Sequence, residues 1–290
     1  MEGGNSREDR NAGCDAHVEN EARGGLGLPP IAAHYRLLPP VIKLTNVSKR
    51  FGLQVILDGV NFTVQDGETV ALLGPSGTGK SVLLKHIIGL IRPDRGTVEV
   101  DGKLVGKLKR RELAELRSGI GYVFQNGALF DSMDVFENIR LGLSDEKQYS
   151  DPEFAQARVL ECLRLVNLPA ETQKKFPAQL SGGMRKRVGI ARAIAGKPKY
   201  LLYDEPTSGL DPVNSDVIDE LVKRLAAELG VTSIMVTHDV RGAFRVADRL
   251  ALLTGGKIVQ QGTPQEFLAS KEPKVKEFLE RDFENATFAA

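Results

Sequence analysis

The spacing of apolar and polar residues changes along the chain, and each spacing predicts a different kind of element. The segments "VIKLTNVSKRF" and "VILDGVNFTV", between residues 41 and 64, alternate apolar and polar residues as half-buried strands do. The next run, "ETVALLG", is continuously apolar, which is typical of a strand covered on both faces. Apolar residues then recur at helical intervals in "SVLLKHIIGL". The predicted order is strand, glycine-rich loop, helix.

The rest of the chain continues with helices and then with alternating strands and helices. "GTVEVDGKLV" predicts a hairpin, and residues from about 105 to 190 have mainly helical spacing. From about residue 199, apolar strand patterns such as "KYLLYDE" and "TSIMVTH" alternate with helical patterns such as "VIDELVKRLAAEL". This alternation predicts a parallel α/β core. Near the C-terminus, "EPKVKEFLERDF" predicts a short charged helix on the surface.

Three regions follow from these patterns. Residues 1–38 are rich in Gly, Asn, Glu, Asp and Arg without an apolar period, which predicts a disordered tail ending near "LLPP". Residues 39–270 form the predicted main domain, and residues 271–290 form the predicted helical C-terminal tail.

Composition narrows the possible functions. The 290 residues include 39 Lys and Arg against 38 Asp and Glu, which argues against nucleic-acid binding through bulk charge. The two cysteines, Cys14 and Cys162, form neither a disulfide framework nor a zinc cluster, and they fit a reducing, cytoplasmic setting. No stretch approaches the roughly 18 apolar residues of a membrane span, and the N-terminus lacks a signal-peptide pattern.

The loop "GPSGTGKS" at residues 74–81 matches a phosphate-binding pattern in full, with a strand before it and a helix after it. Glycines allow the backbone to wrap closely round a phosphate, and successive N–H groups form an anion nest. The following helix adds the positive end of its dipole. The residues assigned to nucleotide binding here are Gly74, Pro75, Ser76, Gly77, Thr78, Gly79, Lys80 and Ser81. Lys80 is expected at the β- and γ-phosphates, and the Ser81 hydroxyl is expected on Mg²⁺.

Two acids end the apolar strand "KYLLYDEP". Asp204 is assigned to Mg²⁺, and Glu205 is assigned the role of general base toward the attacking water. Acidic pairs also occur in ordinary turns after strands. Two carboxylates at the end of a buried strand are costly without a cation, and the phosphate loop therefore favours the catalytic interpretation.

Two further polar residues end apolar runs. His238 follows "TSIMVT" and is a candidate donor to the γ-phosphate, although a histidine after a strand is commonly structural. Gln125 ends "GYVFQ" and is a candidate Mg²⁺ ligand and sensor of the γ-phosphate. Its default interpretation is an amide at a strand end.

The segment "LSGGMRKRVGIARAI" at residues 180–194 identifies the class. It places a Ser-Gly-Gly turn at the start of a helix, which is a second anion site. Taken with the motifs above, in order from about residue 41 to 270, the chain resembles the ATP-binding subunit of ABC transporters. The resemblance implies a P-loop NTPase (RecA-like) α/β core, an antiparallel β subdomain and an inserted helical subdomain at about residues 125–192.

The resemblance also implies how the motifs act. In this family the signature turn, here Ser181, Gly182 and Gly183, closes on the γ-phosphate held by the other subunit of a homodimer, so that two ATP molecules are sandwiched. Phe51 matches the aromatic that stacks on adenine, and Asp211 lies in the D-loop "SGLD". Gln125 matches the Q-loop glutamine, and His238 matches the switch histidine. The chain departs from many members at Met184, where glutamine is common.

Finer features resemble one branch of the family. "LSGGM", "FQNGALFDSMDVFENI" and "GVTSIMVTHDV" look like ATPases of the Mla/Mce class, which energise traffic of phospholipids or other hydrophobic substrates between bacterial membranes. This resemblance implies integral membrane permease subunits as partners, MCE-domain and STAS-domain proteins as further partners, and a location on the cytoplasmic face of the inner membrane. Phe130, Met133 and Phe136 are candidates for permease contact, or alternatively for the helical core.

Three other interpretations stay open. The ATPase of a polar-solute importer of the amino-acid type shares most of these motifs. A cytosolic ABC-type ATPase without a permease shares the core motifs, although such proteins usually carry two cassettes or a long coiled-coil insertion. A nucleotide-binding regulator without hydrolysis is disfavoured by the presence of both Glu205 and His238.

Overall fold

A computed structural model of the chain describes residues 39–287, and for residues 281–287 it describes only the helical backbone. The predicted tail at residues 1–38 lies outside the described residues. The strands are β1 Ile42–Phe51, β2 Gln54–Val64, β3 Thr69–Leu73, β4 Arg95–Val100, β5 Lys103–Leu104, β6 Ile120–Val123, β7 Tyr200–Asp204, β8 Thr232–Thr237, β9 Arg249–Thr254 and β10 Lys257–Gly262.

The helices connect these strands and fill the middle of the chain. They are α1 Lys80–Ile87, α2 Arg110–Ser118, α3 Val135–Arg140, α4 Glu146–Ser150, α5 Pro152–Leu165, α6 Gly182–Ala195, α7 Pro212–Leu229, α8 Val240–Val246, α9 Pro264–Leu268 and α10 Pro273–Thr287. Short 3₁₀ turns lie at Val105–Lys107, Ala170–Lys174 and Pro177–Gln179.

The strands form two sheets. β2, β1, β4 and β5 make an antiparallel sheet in that order. The second sheet has the order β10-β9-β3-β8-β7-β6, and its neighbours from β9 to β6 are parallel. The predicted parallel α/β core with an antiparallel β subdomain is confirmed, and the helices α3 to α6 fall between β6 and β7.

Strand β3 shows how one apolar run serves two cores. Ala71 and Leu73 pack with α5, α6 and α7 on one face of the parallel sheet. Val70 and Leu72 point to the other face and pack with α1 and the antiparallel sheet. Both faces are covered, so every residue of the strand is buried. Burial on both faces explains why this strand is apolar at every position from Val70 to Leu73 instead of alternating apolar and polar residues.

The structure differs from the sequence prediction at the C-terminal helix α10. Val275 is fully buried and Leu279 is nearly so, and both belong to the core that contains α5 and α6. These two residues stand four positions apart and therefore share one face of the helix. The surrounding Lys and Glu residues gave the segment a surface pattern, and this apolar pair nevertheless anchors it to the main domain.

The three candidate permease contacts are divided by their exposure. The Phe130 side chain is 54% exposed, whereas Phe136 is partly buried against the helical core. Met133 is half-buried. Phe130 is therefore the member of this group that is free to contact another protein. Within residues 39–287, no helix is both long and apolar enough to cross a membrane.

Candidate active site

The carboxyl ends of four neighbouring parallel strands carry the predicted site residues. The phosphate loop follows β3, His238 follows β8, the two acids end β7, and Gln125 lies just after β6. Because β8 lies between β3 and β7, His238 emerges between the phosphate loop and the acids. The edge of an open parallel sheet is the usual place for a ligand in such folds.

The glycines of the phosphate loop adopt a backbone that other residues rarely take. Gly77 and Gly79 have φ values of 79° and 100°. A Cβ on Gly79 would lie 2.7 Å from Cγ2 of Ile56, and one on Gly74 would overlap the carbonyl oxygen of Leu253. The loop therefore needs glycine for close approach as well as for its turn. Helix α1 begins immediately afterwards at Lys80, so its N-terminal N–H groups face the loop.

The Lys80 ammonium is buried and has three oxygen partners. Its Nζ donates to the carbonyl oxygens of Gly74 and Pro75 at 2.7 and 3.1 Å. It also lies 3.2 Å from Oε1 of Glu205. The ammonium therefore lies between the phosphate loop and the carboxylate that ends β7, where a phosphate would compete with Glu205 for it.

The residues assigned to Mg²⁺ meet at the start of α1. The Ser81 hydroxyl donates to Oδ1 of Asp204 at 2.6 Å, and the Tyr122 hydroxyl donates to Oδ2 at 2.8 Å. Burial and the Asp204 charge raise the pKa of Tyr122, so its hydroxyl keeps the proton that it donates. Hydroxyl and carboxylate oxygens are ligands that Mg²⁺ prefers, so this pair fits the ion. Among the described residues, no group of three or more His, Cys, Asp or Glu side chains is arranged to hold a metal ion, so the ion would need phosphate oxygens and water as further ligands.

Tyr122 was missed from the sequence. Its hydroxyl orients the Asp204 carboxylate from the neighbouring strand β6, which pairs with β7. The only local signal was a tyrosine three positions before Gln125. An aromatic in an apolar strand is typical of a core residue, so this signal was not specific.

Glu205 is held in an unusual backbone conformation with a partner on each carboxylate oxygen. Its φ is 52°, which is rare for a residue other than glycine and stores strain. Its amide donates to the carbonyl oxygen of Val236 at 2.9 Å. Oε1 faces Lys80, and Oε2 accepts a hydrogen bond of 2.7 Å from Nδ1 of His238. Strain of this kind commonly marks functional sites.

The charges around Glu205 shift two pKa values in opposite directions. Burial alone would raise the pKa of Glu205, but the hydrogen bond from His238 and the charge of Lys80 outweigh it, and the pKa lies below its ordinary 4.5. The hydrogen bond to Glu205 raises the pKa of His238 above its ordinary 6.5, against the effect of burial. The free site therefore favours the ionised form of Glu205, and it favours the protonated form of His238 more than water does.

This pair gives a pH-dependent contribution to stability. The His238 contribution is complete below about pH 6.5 and is lost as the pH rises through the raised pKa. The Glu205 contribution is present above about pH 4.5 and is lost as the pH falls through the lowered pKa. We expect His238→Gln to lower the free energy of unfolding more at pH 6 than at pH 9. The difference should stay under about 1 kcal/mol because the imidazole is half-exposed.

Urea unfolding of the nucleotide-free protein at the two pH values measures this effect. In a Glu205→Gln background the pH-dependent part should disappear, since the partner charge is gone. An equal loss of stability at pH 6 and pH 9 would contradict the ion-pair interpretation of His238.

Gln125 and the signature turn have contacts away from the phosphate loop. The Gln125 side-chain amide donates to Oγ of Ser208 at 3.0 Å, which links it to the "SGLD" segment. Ser181 caps helix α6 by accepting from the Met184 amide at 3.2 Å. Among the described residues, no hydrogen bond joins residues 181–183 to residues 74–81. Ser181, the first residue of the turn, is exposed to solvent.

Other predicted residues have these surroundings. Asp211 caps α7 by accepting from the Asn214 amide at 3.0 Å. A Cβ on Gly183 would lie 3.3 Å from Oδ1 of Asn214, so the signature turn packs beside the start of α7. The Phe51 ring is 48% exposed, with Nζ of Lys49 5.5 Å from its centroid. An exposed ring beside a cation is suited to stacking with a planar base.

The chain is similar in sequence to one protein family and to several named proteins. The profile of the family described as "ABC transporter" matches residues 57–208. The "probable ribonucleotide transport ATP-binding protein mkl" of Mycobacterium tuberculosis is 41% identical over 82% of this chain. That match spans 66% of the relative's length. The "intermembrane phospholipid transport system ATP-binding protein MlaF" of Haemophilus influenzae is 37% identical over 82% of this chain and 90% of its own length.

A solved structure has the same fold. It is a dimer of an ATP-binding cassette in a post-hydrolysis state, bound to ADP and inorganic phosphate. It is 36% identical to this chain with a TM-score of 0.70, and the match covers 77% of this chain and 98% of the solved one.

Proposed function

We propose that this chain, which belongs to the ABC transporter family and carries its ATPase domain, powers a membrane permease of the Mla/Mce lipid-transport class. The observation that carries the hydrolytic part is the position of Glu205. Its carboxylate lies at the end of β7 between Lys80 and His238, beside the phosphate loop. A general base must stand within hydrogen-bond reach of the water that attacks the phosphate, and this place suits that role.

The contacts of the free site suggest the order of events. When the phosphates enter the loop, Lys80 transfers from Glu205 to the phosphate oxygens. The hydrogen bond from His238 still favours the ionised form of Glu205, and Oε1, released by Lys80, is then free to accept a proton from the attacking water. His238, bonded to the same carboxylate, is placed to donate to the γ-phosphate. The base and the proposed donor to the reacting phosphate are thus joined to each other before the nucleotide binds.

Ser81 and Asp204 would hold Mg²⁺, and Tyr122 would keep the Asp204 carboxylate in its orientation. The ion, when bound, neutralises charge on the β- and γ-phosphates. Gln125 is proposed as a further ligand. Its amide must first leave Ser208, which makes it suited to report whether the γ-phosphate is present.

The functional unit is proposed to be a homodimer. The signature turn at residues 181–183 starts a helix, and among the described residues no hydrogen bond joins it to the phosphate loop of its own chain. A second copy, arranged head to tail, would bring each turn to the nucleotide of the other. The solved relative with this fold is itself a dimer bound to ADP and phosphate, which supports the arrangement. ATP can then drive motion because it binds more tightly to the closed dimer than to the open one.

Lipid transport is favoured over other cargoes by one observation: the relative named for intermembrane phospholipid transport is matched over 90% of its own length. The exposed Phe130 follows Gln125 in the segment "GALFDSMDVFENI", where an apolar contact with a permease helix would form for either cargo. MCE-domain and STAS-domain proteins are proposed as further partners, at the cytoplasmic face of the inner membrane.

Polar-solute transport is the second candidate. The Mycobacterium tuberculosis relative, 41% identical, is named for ribonucleotide transport. The match covers 66% of that relative's length, so the remaining third of the relative has no counterpart in the matched region of this chain. The ATPase site described above would serve either cargo.

Purification of the tagged protein from its native membranes, with mass spectrometry of proteins and lipids, separates the two candidates. Lipid transport predicts a permease, an MCE-domain protein and phospholipid in the eluate. A permease with a solute-binding protein and no lipid would favour the second candidate.

We expect Phe130→Ser to reduce recovery of the permease at least threefold, because an exposed aromatic in an interface is commonly worth more than about 1 kcal/mol. Phe154→Ser, at another exposed aromatic on α5, is the matched control.

A further inference from the structure

Lys186 is a buried cation that the motifs do not explain. It lies in helix α6 and its side chain is only 6% exposed. Among the described residues, no carboxylate oxygen lies within ion-pair distance of its ammonium. A buried charge without a direct counter-ion is costly, so its contacts need a reason. The partners of Lys186 are both main-chain carbonyl oxygens.

Those two carbonyls belong to the proposed catalytic residues. Nζ of Lys186 donates a hydrogen bond to the carbonyl oxygen of Gln125. It also reaches the carbonyl oxygen of Glu205 at 3.4 Å. Gln125 follows β6 and Glu205 follows β7, so one ammonium connects the ends of two neighbouring strands. Burial lowers the pKa of Lys186, while the negative charge of Glu205 opposes the shift.

Helix α6 holds the rest of the Gln125 loop through other residues. A Cβ on Gly189 would lie 3.0 Å from the Cα of Gly127, so loop and helix touch there. Arg192 donates to the carbonyl oxygens of Gly127 and Ala128 at 2.7 Å each. The backbone of residues 125–128 therefore runs along α6 from Lys186 to Arg192. Among these contacts, Lys186 provides the one that extends to Glu205.

The same helix begins at the signature turn. Ser181 caps its first turn, and Lys186 lies little more than one turn further along. A helix moves as a rigid unit over so short a distance. When the turn binds the nucleotide of the partner subunit, any displacement of α6 is therefore passed to the backbone of Gln125 and Glu205.

We propose that Lys186 is a positioning residue, which from the signature helix sets the backbone of Gln125 and Glu205 in its own chain's active site. The inference rests on the proposed hydrolysis of ATP with Glu205 as base. The role of Lys186 is to fix the amide of Gln125 and the carboxylate of Glu205 relative to the reacting phosphate, without touching the nucleotide. A displacement of about 1 Å at such groups lowers the rate of reaction by up to about 10²-fold.

Lys186→Met tests this role, because methionine keeps most of the unbranched side chain and removes the ammonium donors. We expect kcat for ATP hydrolysis to fall roughly 10- to 30-fold, with the dissociation constant for ATP changed less than about threefold. Lys186→Gln, which can still donate to one carbonyl, should recover part of the rate. The matched control is Arg187→Met on the same helix, whose guanidinium donates to the carbonyl oxygen of Asn167. It should keep the wild-type kcat.

Three outcomes would overturn the inference. The first is a wild-type kcat in Lys186→Met, while Glu205→Gln has lost hydrolysis. The second is a loss of ATP affinity in Lys186→Met that equals its loss of kcat. The third is a loss of kcat that is as large in Lys186→Gln as in Lys186→Met, with a lowered melting temperature in both variants. Those last two results would describe a merely structural lysine. By contrast, wild-type hydrolysis in Glu205→Gln would count against the proposed function and would leave the Lys186 contacts to be explained separately.

Discussion

Replacing Glu205 by glutamine is expected to lower kcat for ATP hydrolysis about 10³-fold while ATP remains bound. The amide has nearly the shape of the carboxylate but cannot accept a proton from water, and general-base catalysis commonly contributes 10²- to 10⁴-fold. Because hydrolysis is what reopens the proposed dimer, the variant should accumulate as an ATP-bound dimer. Steady-state phosphate release measures the first effect, and size-exclusion chromatography with ATP measures the second.

The free site adds a less obvious expectation for the same variant. The Lys80 ammonium lies 3.2 Å from Oε1 of Glu205 before the phosphates arrive. Removing the carboxylate charge removes a competitor for this ammonium, so we expect ATP to bind more tightly. An ion pair worth about 1 kcal/mol corresponds to roughly a fivefold lower dissociation constant.

The control for Glu205 is Glu220→Gln, an exposed glutamate on helix α7 that has the same change of side chain. It should leave hydrolysis, affinity and dimer formation as in the wild type. Turnover by Glu205→Gln at the wild-type rate would exclude Glu205 as the base. Turnover lost together with ATP binding would indicate a disrupted loop instead of a missing base.

Replacing Lys80 by methionine is expected to weaken ATP binding at least 10²-fold and to abolish measurable hydrolysis. The variant loses a charge-assisted contact to the phosphates, and a loss of about 2.7 kcal/mol corresponds to a factor of 10². It also leaves the buried Glu205 carboxylate with His238 as its remaining charged partner. The Gly74 carbonyl loses the hydrogen bond from Lys80, whereas the Pro75 carbonyl keeps a donor in the Thr78 hydroxyl. We therefore expect a decrease of about 1–3 kcal/mol in the free energy of unfolding of the nucleotide-free protein.

Titration with a fluorescent ATP analogue and urea unfolding measure the two parts separately. Lys85→Met is the matched control, because Lys85 lies on the same helix α1 but is exposed to solvent. Its ATP affinity should stay within a factor of two of the wild type. If Lys80→Met were destabilised but bound ATP normally, Lys80 would be a structural partner of Glu205 and not a phosphate ligand.

These two variants affect opposite ends of one contact. Lys80→Met removes the cation and should lose binding, whereas Glu205→Gln removes the anion and should lose the chemical step while binding is kept. A protein that only sensed nucleotide would not need this separation. The pair of results therefore distinguishes the proposed ATPase from a nucleotide-binding regulator without hydrolysis.

Much of the fold could be predicted from the sequence because its patterns are local. The continuous apolar run that became β3 predicted a strand buried on both faces, and Val70 and Ala71 point into the two different cores. The glycines of the phosphate loop predicted positive φ angles, which Gly77 and Gly79 adopt. The order of the motifs identified the family, and the family profile confirms it. Each single motif or strand pattern lies within about ten consecutive residues, and only their order along the chain is read over a longer distance.

Contacts between distant segments could not be predicted in this way. Nothing near Tyr122 indicated that its hydroxyl would orient Asp204, because the two meet only when β6 pairs with β7. The buried pair Val275 and Leu279 was hidden in a charged segment, since its partners lie on other elements. Roles assigned to the signature turn remain predictions, because they require a second chain.

The sequence by itself determined the family, the parallel α/β core and the set of residues at its nucleotide loop, because these depend on residue types at short, fixed spacings. Only the tertiary structure decided that β8 lies between β3 and β7, which places His238 against Glu205. It likewise decided that Lys186 reaches Gln125 and Glu205 from another helix. The physical reason is that such contacts depend on strand order and helix packing, which bring together residues far apart in the chain, such as Ser81 and Asp204, which are 123 positions apart.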